Sequence, residues 1–204
     1  MLLLLATTNP DKGRELAAAL ADIPDLRVLT LKDLDVTPPE PVEDGMTLEE
    51  NAWIKAKEIH DATGLPVIAD DTGLEVTALG GAPGVYSARY AGEDASYEDN
   101  WRKLLGDLEG EDNRSARFRT VICYVDPYRT LFSEGEVIGE ITTEPEGEQG
   151  FGYDPVFRPA DSPATFARMS PEEKNSISHR GRAVMAFRNS ILPIIAEERG
   201  IQSA

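Results

Sequence analysis

Leu2 to Ala6 is an unbroken apolar run followed by Thr7-Thr8-Asn9-Pro10. That order predicts a buried strand feeding a helix, with Asn9 as N-cap and Pro10 in the first helical position. The helix is expected to reach about Ala21, with Leu16 and Leu20 on one face. Leu26 to Leu31 predicts a second strand, and a Pro- and Glu-rich loop runs from Thr37 to Gly45. Thr47-Leu48-Glu49-Glu50 has the pattern of a capping box, so another helix is expected to about Ala62, closed by Gly64. Pro66 to Ala69 predicts a short buried strand that ends at Asp70-Asp71.

The pattern then changes. Gly80 to Gly84 reads as a loop and Tyr97 to Leu108 as a helix. Arg114 to Val125 and Thr130 to Ile141 predict two long strands around a turn at Asp126-Pro127-Tyr128, longer than typical hairpin arms. Arg180 to Glu198 predicts a last helix, with Ala183, Val184, Phe187, Ile191 and Ile194 at helical spacing. Strand–helix alternation ahead of a long hairpin predicts an α/β protein with a mixed sheet and two lobes, residues 1–204 forming a single domain.

Composition narrows the function. The 204 residues include 20 basic and 37 acidic side chains, a formal charge of −17. Such a surface repels nucleic acid polymers and anionic membranes, because both need a broad cationic face. A small anion needs only a few local cations or a metal. The apolar start lacks a basic segment and stops at Thr7, too short for a signal peptide or a membrane span, so a cytoplasmic protein is expected. Cys123 is the one cysteine and lies in a predicted strand, which predicts a buried thiol.

Four clusters carry candidate chemistry. Lys12 falls in the first turn of the opening helix, where a cation opposes the helix dipole. With Thr7, Thr8 and Asn9 at a turn where free backbone N–H groups gather, it forms a candidate phosphate cradle. Asp70-Asp71-Thr72-Gly73 follows a strand, the position where α/β proteins collect ligands. Alternation along a strand puts only one of the two carboxylates toward a ligand, without saying which. Hard oxygen donors of this kind suit Mg²⁺. Asn51 and Lys55 lie one turn apart on a helix face, and Glu43 sits in the preceding loop, where Glu40 or Asp44 are alternatives. Finally, Gly150-Phe151-Gly152-Tyr153-Asp154 offers an aromatic face to a flat base, and Ser178 as an N-cap puts His179 and Arg180 in a first helical turn.

Together these segments resemble the Ham1-type inosine triphosphate pyrophosphatase family. Ala6 to Lys12, Glu50-Asn51-Ala52 with Lys55-Ala56, and Ile68 to Leu74 carry the likeness in the first half. Leu79 to Arg89, Phe151 to Pro155, and Lys174 with Ile177 to Arg180 carry it in the second. The resemblance implies a long mixed β-sheet with two α/β lobes, a central nucleotide cleft and a homodimer. It implies hydrolysis of ITP, dITP and XTP to monophosphate and pyrophosphate, with Mg²⁺ as cofactor. By the same resemblance, Thr7 to Lys12 hold phosphates, Glu43 and Asp71 serve the metal, and Asp71 also accepts the proton of the attacking water. Thr72, Lys55 and Lys174 contact substrate, while Phe151, Gly152, Tyr153, Asp154, His179 and Arg180 recognise the base. A regulatory nucleotide-binding module and a Maf-like pyrophosphatase share enough of this layout to stand as alternatives.

Overall fold

The computed structural model describes residues 1–35 and 37–202. Its elements in chain order are β1 (Leu2–Leu5), α1 (Pro10–Leu20), β2 (Arg27–Thr30), α2 (Leu48–Thr63), β3 (Val67–Val76), β4 (Pro83–Gly84), α3 (Tyr97–Asp107), β5 (Ser115–Val125), β6 (Thr130–Ile141), β7 (Phe157–Pro159), α4 (Pro171–Ile177) and α5 (His179–Gln202). Among the described residues seven strands form one sheet, in the order β2-β1-β3-β5-β6-β7, with β4 paired to β3. β1 runs parallel to β2 and β3, while β4 is antiparallel to β3 and β7 to β6. The mixed α/β sheet expected from the sequence is therefore present. The expected single domain over residues 1–204 includes Val36, Ser203 and Ala204, which lie outside the described residues.

The chain divides into two compact units. The first comprises Met1–Asp71, Val121–Gly135 and the chain from Ala183 onward; the second comprises Thr72–Thr120 and Glu136–Arg182. In the first unit, Leu3 and Leu5 of β1, Ile68 of β3 and Ile122 and Tyr124 of β5 pack with Leu16 and Leu20 of α1 and Phe187 and Ile191 of α5. The apolar stripes expected on the first and last helices are thus the ones buried. Cys123 is fully buried, and that burial pushes its thiol up to about 12. In the second unit, Leu74 and Val76 of β3, Phe118 of β5, Val137 and Ile141 of β6, Phe157 and Phe166 share a core with Leu104 and Leu108.

Three expectations need correction. β3 does not end at Asp70-Asp71 but continues to Val76. Its buried pattern holds across the acidic pair because lysines compensate both carboxylates. Gly80 to Gly84 is not all loop, since Pro83 and Gly84 pair with Glu75 and Leu74. The helix α4 was not expected at all, although Ser170-Pro171-Glu172-Glu173 marks it with a capping box and a proline in the first turn. Lys174 therefore sits on a helix.

Among the described residues four short-range capping boxes are formed, at Thr30/Asp33, Thr47/Glu50, Ser96/Asp99 and Ser170/Glu173. Each satisfies backbone N–H groups at a helix start that the helix cannot satisfy itself.

Candidate active site

In the first unit the charged residues converge at the β3 segment ending in Asp71. Lys55 of α2 lies with Nζ 2.8 Å from Glu43 Oε2 and 3.2 Å from Asp71 Oδ1. Lys12 of α1 pairs with Asp70 at 3.2 Å. Asp70 and Asp71 thus each meet a different lysine, as strand alternation requires, and both are buried. Glu43, rather than Glu40 or Asp44, is the loop carboxylate that reaches Lys55.

Burial dominates the electrostatics of Asp71. It pushes the carboxyl up, and Lys55 and Lys12 only partly offset it while Glu43 adds to it. Burial works the other way on Lys55, favouring the neutral amine, but Asp71, Glu43 and Asp70 outweigh it and hold the ammonium above its ordinary range. Asp71 is therefore a more basic carboxylate than one in water, as a proton acceptor requires.

Asn51, paired with Lys55 on the expected helix face but given no role there, is buried against Asp71. Its Nδ2 donates to Asp71 Oδ2 at 3.4 Å, and its Oδ1 accepts from Gly45 N at 2.8 Å. A side chain at Gly45 would press on that same Oδ1, so glycine is needed for the close approach. The loop carrying Glu43 is in this way tied to the residue beside Asp71.

The phosphate cradle differs from expectation. Asn9 Oδ1 accepts from the backbone of Asp11 at 2.9 Å and Lys12 at 3.2 Å, and Asn9 N donates to Thr7 Oγ1 at 3.3 Å. Gly13 N bonds Asn9 O. The first-turn N–H groups are consumed by capping, because a free helix start is costly. What remains as recognition chemistry there is side-chain chemistry: the exposed Thr8, the half-buried Thr7 and the Lys12 ammonium.

The second unit holds the other predicted residues. Lys174 Nζ lies 2.7 Å from Asp154 Oδ2, and both side chains are nearly out of water. The same Oδ2 accepts from Phe151 N at 2.8 Å. Gly150 has φ +75°, and a Cβ there would collide with Asp154 Oδ2. The Phe151 ring is approached by Lys174 Nζ at 4.6 Å and by the Arg180 guanidinium at 5.5 Å. Ser178 Oγ accepts from Gly181 N, so it caps α5 as expected and places His179 and Arg180 in the first turn.

His179 is buried, its ring stacked on Phe118 at 4.5 Å and 21°. Thr120 bridges it to Thr72: Thr120 Oγ1 is 2.7 Å from His179 Nδ1 and 2.8 Å from Thr72 Oγ1, which accepts from Arg180 Nη2 at 3.2 Å. Thr120 went unnoticed in the sequence. Its signal is a hydroxyl on the inward register of β5, in line with buried Ala116 and Phe118. Tyr153, expected at the base, instead packs in the core with its hydroxyl donated to Ser87 O at 2.8 Å.

The Ham1 family profile matches residues 3–190 of this chain. The chain belongs to the Ham1 family. Relatives include the dITP/XTP pyrophosphatase of Syntrophobacter fumaroxidans, 49% identical over 185 residues, which are 90% of this chain and 79% of that protein. The dITP/XTP pyrophosphatase of Caldanaerobacter subterraneus subsp. tengcongensis is 46% identical over 200 residues, covering 96% of this chain and 98% of the relative. Among solved structures, the Staphylococcus aureus Ham1 protein superposes with a TM-score of 0.83 at 39% identity, over 97% of this chain and 100% of that one. The Ham1 fold is thus shared along nearly the whole chain.

Proposed function

We propose that this chain hydrolyses ITP, dITP and XTP to the nucleoside monophosphate and pyrophosphate. The observation that carries the reading is the buried Asp71 carboxylate, raised by burial and held by Lys55, which Glu43 shares. The names of its Ham1 relatives agree with it.

In this reading Asp71 accepts a proton from water as the water oxygen attacks the α-phosphorus. The bond from that phosphorus to the bridging oxygen breaks, and pyrophosphate leaves. Lys12 and Lys55, with the Thr7 and Thr8 hydroxyls, hold the phosphates, and their charge stabilises the one developing on the leaving group.

Mg²⁺ belongs to the same proposal. Three carboxylates (Glu43, Asp70, Asp71) face two ammonium groups (Lys12, Lys55), an excess of one negative charge among these five side chains. Among the described residues no three His, Cys, Asp or Glu side chains gather to hold a metal alone. That donor set fits Mg²⁺, which binds through one or two carboxylates and keeps water or substrate phosphates as its other ligands. Glu43 and Asp71 would hold it, and when bound it neutralises phosphate charge.

Base selection falls to the residues around Phe151. Lys174 and Arg180 put donors beside the Phe151 ring. A 6-oxo purine offers them an acceptor, whereas the adenine amino group leaves buried donors unpaired. A homodimer in the cytoplasm completes the proposal. It rests on the family resemblance; light scattering tests the dimer.

The decisive experiment measures pyrophosphate release from dITP, ITP, XTP, GTP, ATP, dTTP and UTP, with and without Mg²⁺. Release confined to the first three and dependent on Mg²⁺ is expected. Equal rates on all seven, or binding without release, would overturn the reading.

A further inference from the structure

Thr120 is fully buried, and its hydroxyl has a single proton to share between two neighbours. One is Thr72 Oγ1 at 2.8 Å and the other His179 Nδ1 at 2.7 Å. Arg180 Nη2 can only donate, so its 3.2 Å bond to Thr72 Oγ1 uses a lone pair of that hydroxyl. Two proton orders pass through Thr120 from one neighbour to the other. In the first, Thr72 donates to Thr120 and Thr120 donates to His179 Nδ1, so the ring carries its proton on Nε2. In the second, His179 Nδ1–H donates to Thr120 and Thr120 donates to Thr72. Thr72 then receives from both Thr120 and Arg180, and its own proton points to another acceptor. The His179 ring is clamped against Phe118, so the orders differ by where protons sit and not by ring rotation.

We infer that Thr120 is a positioning residue that transmits the ring tautomer of His179 to the Thr72 hydroxyl, so that Nδ1–H on His179 makes Thr72 a donor toward the bound nucleotide. This rests on the proposed role of Thr72 as a substrate contact. Thr120 itself need not touch substrate.

The test reads ring nitrogens directly. The chain has two histidines. His60 Nδ1 faces the Leu65 carbonyl at 2.5 Å, and a carbonyl only accepts, so His60 serves as an internal Nδ1–H reference. In ¹⁵N spectra of the full-length protein, the α,β-methylene analogue of dITP with Mg²⁺ is expected to bring His179 to the Nδ1–H pattern. Thr120→Val should abolish that response and change the Nδ1 shift of the unliganded protein. It should also raise KM for dITP about tenfold while kcat stays within about twofold. Thr120→Ser should restore all of these. If Thr120→Val does not fold, Thr120→Ala takes its place with the same readouts. A folded hydroxyl-free variant with parental ring shifts and parental KM overturns the inference, as does a folded Thr120→Ser that behaves like valine. The unliganded spectra keep the two readings apart. A parent that neither binds the analogue nor cleaves dITP defeats the functional proposal, whereas an Nδ1 shift indifferent to Thr120 defeats the relay.

Discussion

Lys174 and Asp154 meet at 2.7 Å with side chains only 6% and 3% exposed. Removing one partner of such a pair strands the other in a medium that cannot solvate it. Asp154→Ala is expected to cost roughly 3–5 kcal/mol of stability, seen as a drop in the urea midpoint. Asp154→Leu with Lys174→Met should recover most of that loss while discrimination between dITP and dATP collapses. A double variant that keeps its discrimination would separate the pair from base recognition.

Gly150→Ala tests the same corner from the backbone. Its φ of +75° is strained for alanine, and the new methyl meets the Asp154 carboxylate. KM for dITP is expected to rise more than it does for Gly152→Ala. Gly152 also has positive φ but nothing near its missing Cβ. Equal effects would mean that backbone strain alone decides.

Asp71→Asn separates function from stability. Native Asp71 has its pKa above the ordinary 3.8 because it is buried. As pH rises from 3.8, the unfolded chain therefore releases this proton first and the native state holds it longer. Stability from this group is complete below the ordinary value and is lost as pH rises through the native one. The variant, neutral throughout, keeps Glu43 beside Lys55 and should remain folded at pH 7 without Mg²⁺. Its turnover should fall at least about 100-fold. In the parent, kcat should decline on the acid side around a pKa above 3.8. Near-parental turnover in a folded variant would remove Asp71 from the chemistry.

The caps predict the opposite pH sign. Asp99 is held below its ordinary range by the Ser96 hydroxyl and backbone, and Glu173 by the Ser170 backbone and hydroxyl. The unfolded chain takes up these protons first as pH falls. Stability is therefore present above the ordinary values and is lost as pH drops through the native ones. Ser96→Ala should lower the melting temperature by about 2–4 °C at pH 7, with the gap narrowing at acid pH. A gap that is constant with pH would show that the Asp99 charge contributes nothing.

Metal removal gives the last prediction. EDTA should abolish pyrophosphate release and added Mg²⁺ restore it. Glu43→Gln should raise the Mg²⁺ concentration needed for half-maximal rate, since Lys55 keeps Asp71 while one anionic donor is lost. A Mg²⁺ titration unmoved by Glu43→Gln would exclude that carboxylate from the metal.

What the chain revealed in advance depended on the range of the interaction. Caps and amphipathic stripes lie within a few residues, so Asn9, Thr47 and the Phe187/Ile191 face could be placed from order alone. The end of β3 could not be. Asp70 and Asp71 read as a strand terminus until Lys12 and Lys55, both distant in sequence, are seen to compensate them. Thr120 was hidden for a similar reason, since its partners lie 48 and 59 residues away. Tyr153 belonged to a recognisable motif, but a motif does not say which of its members face a ligand. Only its hydroxyl on Ser87 and its place in the core assign it to packing.

The four capping boxes also bear on how the chain folds in time. Each closes within four residues, so the starts of α2, α3 and α4 are encoded in segments that leave the ribosome almost at once. The sheet works on another schedule: Leu4 must wait for Val67 before β1 can pair with β3. Local signals cost little chain entropy to satisfy, whereas long-range pairing closes a large loop. Helix starts are therefore marked while the strands still lack partners, and the slow event in folding this protein is the assembly of its sheet.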